Sequence, residues 1–307
     1  MKVSQDFSWQ AKNLRTGTWA AIASYGMWGL FPIYWKQITY IDSIHILCHR
    51  ILWSSLFLLM VMQMYGSISS QLLPLFRQKR SLVPIVACSA LITTNWGTYI
   101  WAVNAGHVTE SSLGYYITPL LSIALGSIFF NEKMDRWTVV SVIIAALGVA
   151  VAACMIGKLP WVSLTLAASF SIYSAVKKSA GLHALPGLTA ETLLAVPFVL
   201  IWLLWARFAG WGYFFGPGAK SVVFLVVAGP VTAIPLLAFA YAANRISLQR
   251  IGFIQYLSPT AQLVLGLVVY GERMSPAMML AFGAVVIAVA IYLATRRWQL
   301  TKPNPIK

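Results

Sequence analysis

Arg50 is the residue on which chemistry places the tightest constraint. It stands about six residues inside the apolar run 44–65, ~9 Å along a helix axis. A guanidinium turned to hydrocarbon there costs from about 3 to more than about 10 kcal/mol. It must face protein or water, to bind an anionic group or to hold structural carbonyls, unless its stem carries the charge back to the headgroups. Among anionic groups a carboxylate suits its planar fork best. Acids are scarce, 7 Asp+Glu against 22 Lys+Arg, so few groups can carry a coupling proton or cation. Glu110 is the coupling candidate, although a Thr109 cap and the positive end of a helix account for an acid there equally well. Glu132 and Glu272, each followed by a basic residue, read as helix-start electrostatics. Trp28, Asn95, Trp96, Tyr99, Asn104, Tyr115, Tyr116, Tyr173, Gln255 and Tyr256 are amide and aromatic side chains inside apolar runs. Such groups turn inward to bond, and with Arg50 they form the candidate solute-binding set. The competing account places Trp and Tyr in interfacial belts and lets Asn and Gln bridge helices. Lys36, Lys177 and Lys178 fall at run ends, where the expected role is interfacial anchoring.

Several chemistries lack their residues. A phosphate-cradling loop needs a glycine five before Gly157-Lys158 and a hydroxyl after it, and the sequence supplies Ala152 and Leu159. Neither H-E-x-x-H nor G-x-S-x-G occurs. His45, Cys48 and His49 have the i, i+3, i+4 spacing of a metal site, yet no carboxylate or fourth ligand accompanies them. No metal and no cofactor is therefore expected. Cys48, Cys88 and Cys154 all fall within apolar runs and describe no disulfide framework.

The elements that hold these residues follow from composition. Of 307 residues, 59% are hydrophobic and 9% charged, against roughly 25% charged in a soluble domain. There is too little charge to clothe a water-facing surface, so the lipid bilayer is the expected solvent. The net charge of +15 is dispersed between apolar runs, which excludes a nucleic-acid face. About 20 apolar residues cross a bilayer as a helix, and the sequence offers such stretches at 17–37, 44–65, 82–104, 109–130, 136–156, 159–177, 189–207, 221–243, 249–270 and 275–295. The first carries no small-x-small cleavage site behind it and reads as a retained helix. Alternate connections hold 16 and 5 Lys+Arg, which places both termini in the cytoplasm.

An internal repeat organises the spans. At an offset of 140, Trp101 to Met134 lies without gaps on Tyr241 to Met274, pairing Asn104 with Asn244, Tyr116 with Tyr256, Pro119 with Pro259 and Gly126 with Gly266. At 145, Ala23 to Trp28 matches Ala168 to Tyr173. Five spans per copy turn the second copy over, and inverted repeats are a plan of secondary transporters, with the solute site near midplane at the seam. The expected fold is an all-α membrane protein of ten transmembrane helices in two inverted five-helix repeats, 1–156 and 157–307. Pro32, Pro119, Pro259 and Pro235 lie within spans, and the first three are candidate kinks or hinges.

The segments Tyr25-x-x-Trp28-Gly29-x-x-Pro32, His49-Arg50-x-x-Trp53-Ser54, Trp101-Ala102-Val103-Asn104 and Gly252-Phe253-x-Gln255-Tyr256 resemble the RarD group of the EamA-type branch of the drug/metabolite transporter superfamily. The resemblance runs from the first span to the tenth. It implies a cavity lined mainly by spans 1, 3, 4, 6, 8 and 9, transport without ATP hydrolysis, a bacterial inner membrane, and export of a small organic solute; it does not fix the solute. A homodimer is left open. The alternatives from other classes are a membrane-embedded enzyme acting on a lipid-linked substrate, which needs convergent acids or a nucleophile with its base, and a non-transporting scaffold.

Overall fold

The structure, a computed structural model, describes residues 2–131, 134–157, 160–210, 215, 217–271 and 273–301, without the side chains of 2–12, 108, 109, 156, 249, 293 and 296–301. Glu132 and Glu272, with Lys133, Lys158, Lys302 and Lys307, lie outside these residues. Everything described is helix or connection. Among the described residues, six helical stretches are long and apolar enough to cross a membrane: Ser43–Met64, Glu110–Phe130, Arg136–Met155, Ala184–Phe208, Gly218–Ala243 and Arg250–Val269. Their outward faces carry Ile128 at 71%, Phe198 at 74% and Val268 at 78% exposure, side chains that water would drive inward and lipid tails would not.

The chain begins with α1 (Lys2–Gly29), which stops at Leu30 and restarts as α2 (Phe31–Trp35), followed by a 3₁₀ turn at Lys36–Ile38. The run expected at 17–37 is thus longer at its start and broken near its end. The cause is Pro32, which has no N–H to return to the Trp28 carbonyl. That carbonyl accepts instead from Gln262 Nε2 at 3.0 Å. Helix α3 (Ser43–Met64) opens on Asp42, whose carboxylate accepts from the Ile44 and His45 amides, an N-cap. The connection behind it contains a helix not expected from the hydropathy, α4 (Ile68–Arg77), which buries Leu72 among Met62, Ile85 and Ala190. Helices α5 (Lys79–Asn104), α6 (Val108–Phe130) and α7 (Arg136–Ile156) follow, then α8 (Trp161–Ala180), α9 (Ala184–Phe208) and α10 (Gly218–Ala243). The run expected at 249–270 is divided into α11 (Leu248–Ile254) and α12 (Leu257–Val264), with a π turn at Leu265–Val269. Here Pro259 removes the donor due to Gln255, whose carbonyl is taken at 3.2 Å by the Ser258 amide. Helix α13 (Pro276–Thr301) completes the order. Helix α6 runs through Pro119, so an interrupted helix accompanies Pro32 and Pro259 and not Pro119.

The helices pack α7 on α13, α6 on α8, α3 on α10, α5 on α8 and α9, and α1 on α10 and α12. Two glycines let helices approach closely beside the site. A Cβ on Gly229 would stand 2.5 Å from the Trp53 backbone, and one on Gly114 would stand 2.7 Å from the Ser163 carbonyl oxygen. Small residues at such crossings substitute for the hydrophobic driving force that lipid withholds. Between the helices lies an aromatic core in which Tyr25, Trp28, Phe170 and Tyr173 all meet Phe239 at centroid distances of 5.5 to 6.2 Å.

Candidate functional site

Arg50 sits on α3 with 2% of its surface exposed. The Gly229 crossing draws α10 against α3, and Ser54 Oγ donates to the Gly229 carbonyl at 3.3 Å. One turn along α10, Thr232 Oγ1 receives the Arg50 Nε–H at 2.8 Å. Aromatic faces surround the rest of the head. The guanidinium carbon lies 4.4 Å from the Trp96 centroid, 5.0 Å from Trp35 and 5.7 Å from Phe31, a cation–π enclosure that holds the charge without neutralising it. Nη1 has no hydrogen-bond acceptor. The charge is therefore turned to protein and not snorkelled to the interface.

A cavity opens against this head. It comprises about 510 Å³ of space free of protein atoms, of which about 40 Å³ admits the centre of a water molecule, room for a few waters or for a narrow solute. Tyr25, Trp28 and Phe31 line it from α1 and α2, Arg50 from α3, and Asn95, Trp96 and Tyr99 from α5. The remaining wall is Tyr115 of α6, Phe170 of α8, Gln255 at the break between α11 and α12, and Ser258, Pro259 and Gln262 of α12. Seven of the eleven residues chosen as a solute-binding set, Trp28, Arg50, Asn95, Trp96, Tyr99, Tyr115 and Gln255, thus share one space. Asn95 spends its amide on Leu166 O and Ser169 Oγ, both at 3.0 Å, and so ties α5 to α8. The Tyr99 hydroxyl and Gln255 Oε1 are buried without partners.

The other four stand elsewhere. Asn104 donates to Ile41 O at 3.2 Å and Ser43 Oγ at 2.8 Å, fastening the end of α5 to the start of α3. Tyr116 pairs its hydroxyl with Thr260 at 3.2 Å and sets its ring edge-on to Phe282. Tyr256 packs among the apolar residues of α6, α7 and α13. Tyr173 is fully buried and donates to Glu191 Oε2 at 3.2 Å. A phenol in an apolar run announces that it turns inward but not which cluster it joins. Glu110 is outside the cavity lining and pairs with His107 Nδ1 at 3.0 Å on a half-exposed helix start. The cap of α6 is His107 and not Thr109.

Tyr25, Phe31, Phe170, Ser258 and Gln262 were missed. The repeat gave a usable signal for Phe170, the partner of Tyr25 at offset 145. Lys177 is 5% exposed, with Nζ 2.7 and 2.9 Å from the two carboxylate oxygens of Glu191, itself 2% exposed. It is half of a buried ion pair and not an interfacial anchor. Lys178 donates to Ile246 O. At the start of α3, Trp53 Nε1 donates to His49 Nδ1 at 3.1 Å, and the rings of His45 and His49 stand 4.9 Å apart. No group of three metal-ligating side chains occurs among the described residues.

Residues 15–154 match the EamA-like transporter family. Protein RarD of Escherichia coli (strain K12) is 37% identical over 284 residues, 92% of this chain and 95% of its own length. The chain belongs to the RarD-type EamA transporters. A second relative, YojE of Bacillus subtilis (strain 168), described as an uncharacterized transporter, is 38% identical over 296 residues, 94% of this chain and 98% of its own length. A solved crystal structure superposes with a TM-score of 0.66 at 14% identity, covering 92% of this chain and 98% of that one, and shares the fold. With its apolar helices, this RarD-type chain is a multi-pass transporter of the bacterial inner membrane.

Proposed function

We propose that this RarD-type protein is a secondary carrier that moves a small organic, amphipathic or aromatic solute by alternating access of two inverted five-helix halves, and that it works as an exporter. The observation that carries this reading is that both halves line one cavity. Tyr25 through Tyr115 come from 1–156, and Phe170 through Gln262 come from 157–307. A rocking motion of one half against the other would open such a seam to each side in turn.

The repeat supports the same reading in hydrogen bonds. Asn104 ties the end of α5 to Ile41 O, and its offset-140 partner Asn244 ties the end of α10 to Leu182 O at 2.8 Å. Ile41 lies just before α3 and Leu182 just before α9. Tyr116 and Tyr256, equivalent residues, meet across the seam at 6.2 Å. We count ten crossings by taking α1 with α2 as one, α11 with α12 as another, and the amphipathic α4 as lying on the surface; an even number keeps both ends on one side, and the Lys/Arg bias makes that side the cytoplasm. An enzyme acting on a lipid-linked substrate would need convergent acids or a nucleophile with its base; among the described lining residues there is neither an acid nor a histidine, which favours the carrier.

Counterflow into liposomes carrying the purified protein tests the proposal over a panel of radiolabelled organic acids, amino acids and amines. At least one solute exchanges faster than in empty liposomes, and Tyr99→Ala abolishes that exchange. Exchange unaffected by both Tyr99→Ala and Arg50→Ala would overturn the assigned pathway.

A further inference from the structure

We propose that the cavity at Arg50 takes an organic monoanion, a carboxylate joined to an apolar or aromatic body. The inference rests on the carrier reading and names its substrate class.

The charge balance of the cavity comes first. Arg50 is the one cationic side chain among its described lining residues, and neither an acid nor a histidine accompanies it. A guanidinium has five N–H donors in one plane. Thr232 takes the Nε–H, and Nη1 has no acceptor although Arg50 is 2% exposed. The faces of Trp96 and Trp35 spread the positive charge but offer no lone pair in the plane of the fork. A buried charged donor without an acceptor is among the costliest groups a fold can hold. A structural arginine would have its donors filled by carbonyls, as Asn95 has filled its amide with Leu166 O and Ser169 Oγ.

The second observation is the donor beside it. The Tyr99 hydroxyl lines the same cavity, is buried, and has no partner. A phenol O–H and a guanidinium fork together suit the two oxygens of a carboxylate. Much of the remaining lining is aromatic, with Trp28 and Phe170 beyond the rings that meet the guanidinium. A cation would be repelled by Arg50, a neutral solute would leave its charge uncompensated, and a dianion would bring one charge more than the single arginine offsets. The solute that completes the site has one negative end and one apolar end.

Transport of such a solute moves net charge. With no titratable acid or histidine in the described lining, no group there carries a compensating proton. The inside-negative potential then drives the anion outward by about 2.3 kcal/mol per 100 mV, which gives export a driving force without a coupling ion.

The test uses the full chain purified in detergent and matched trios that share one body: 3-phenylpropanoate, its primary amide and 3-phenylpropylamine, with the 4-methylpentanoate trio as the aliphatic counterpart. Binding is read from tryptophan fluorescence, since Trp96 and Trp35 lie against the guanidinium, and from thermal shift. The acid of at least one trio binds saturably and at least about tenfold more tightly than its amide, and the amine does not bind. Arg50→Gln erases the preference, Arg50→Lys keeps part of it, and Tyr99→Phe, which removes only a hydroxyl, weakens acid binding several-fold. Equal or tighter binding of an amide or amine would overturn the proposal. So would no binding by either acid, acid binding unchanged in Arg50→Gln, or an equal response to sodium chloride alone. An amide or amine that binds and crosses liposomes sinks the anion class and leaves the carrier standing. An acid that binds in detergent yet crosses no bilayer in liposomes sinks the carrier and leaves the site.

Discussion

Breaking the Lys177–Glu191 pair should cost more than removing any other polar contact of the described structure. At 2.7 Å and an effective dielectric near 20, two unit charges attract by about 6 kcal/mol. A second Nζ–O contact at 2.9 Å and the Tyr173 hydroxyl at 3.2 Å fill further lone pairs of the carboxylate. Removing one partner strands the other charge among Cys88, Leu188 and the aromatic core, at a cost of about 3 to 5 kcal/mol. Replacing both by apolar residues strands no charge and leaves only the Tyr173 hydroxyl without its acceptor, so it costs about 1 to 3 kcal/mol, less than either single change, because burial of the two charges had itself been unfavourable. Lys177→Met and Glu191→Leu singly, and the two together, form a double-mutant cycle read by equilibrium unfolding in mixed detergent micelles. The expected coupling is at least about 3 kcal/mol. Single variants within about 1 kcal/mol of the parent, or a double variant as unstable as the sum of the singles, would refute the reasoning and return Lys177 to the interface.

Three further outcomes follow from the same contacts. Gly229→Leu drives a side chain into the Trp53 backbone, already 2.5 Å from a bare Cβ; it should cost at least about 3 kcal/mol in the same unfolding assay and separate Arg50 from Thr232. Gln262→Ala leaves the Trp28 carbonyl unbonded at the Pro32 break and should cost about 1 to 3 kcal/mol, whereas Gln262→Glu, lacking the donor, should not restore it. Glu110→Gln breaks only a part-exposed pair with His107; its effect on stability should stay within about 1 kcal/mol, and its effect on counterflow should be negligible.

What the sequence disclosed, and what it withheld, divides along physical lines. Apolar run length marks where helices lie, because every backbone group in lipid must bond within its own segment; it cannot mark α4, whose short amphipathic stretch carries no such signal. Proline tells where an N–H is missing, but Pro119 remains within a continuous α6 while Pro32 and Pro259 accompany breaks, so the outcome depends on neighbours such as Gln262 that lie far away in the chain. Arg50 was legible because one charge in an apolar run has few places to go. Tyr116, Tyr173 and Tyr256 were not assignable, since a phenol satisfied by Thr260 or Glu191, as in the first two, or packed in an apolar cluster, as in the third, has the same local pattern as one facing a cavity. The Lys177–Glu191 pair escaped because its two residues lie on different helices, and a lysine near a run end has a simpler local explanation.

A carrier's cavity must open to each side of the membrane in turn, and Ser258 lets that be examined without knowing the solute. Ser258 lines the cavity from α12 and is small. Cys48, Cys88 and Cys154 are first replaced by alanine, and Ser258→Cys is then added. Sealed vesicles are exposed to a membrane-impermeant thiol reagent from the outside, and inverted vesicles to the same reagent from the other face. Labelling is expected from either face; labelling from one face alone, or from neither, would show that the cavity does not open alternately.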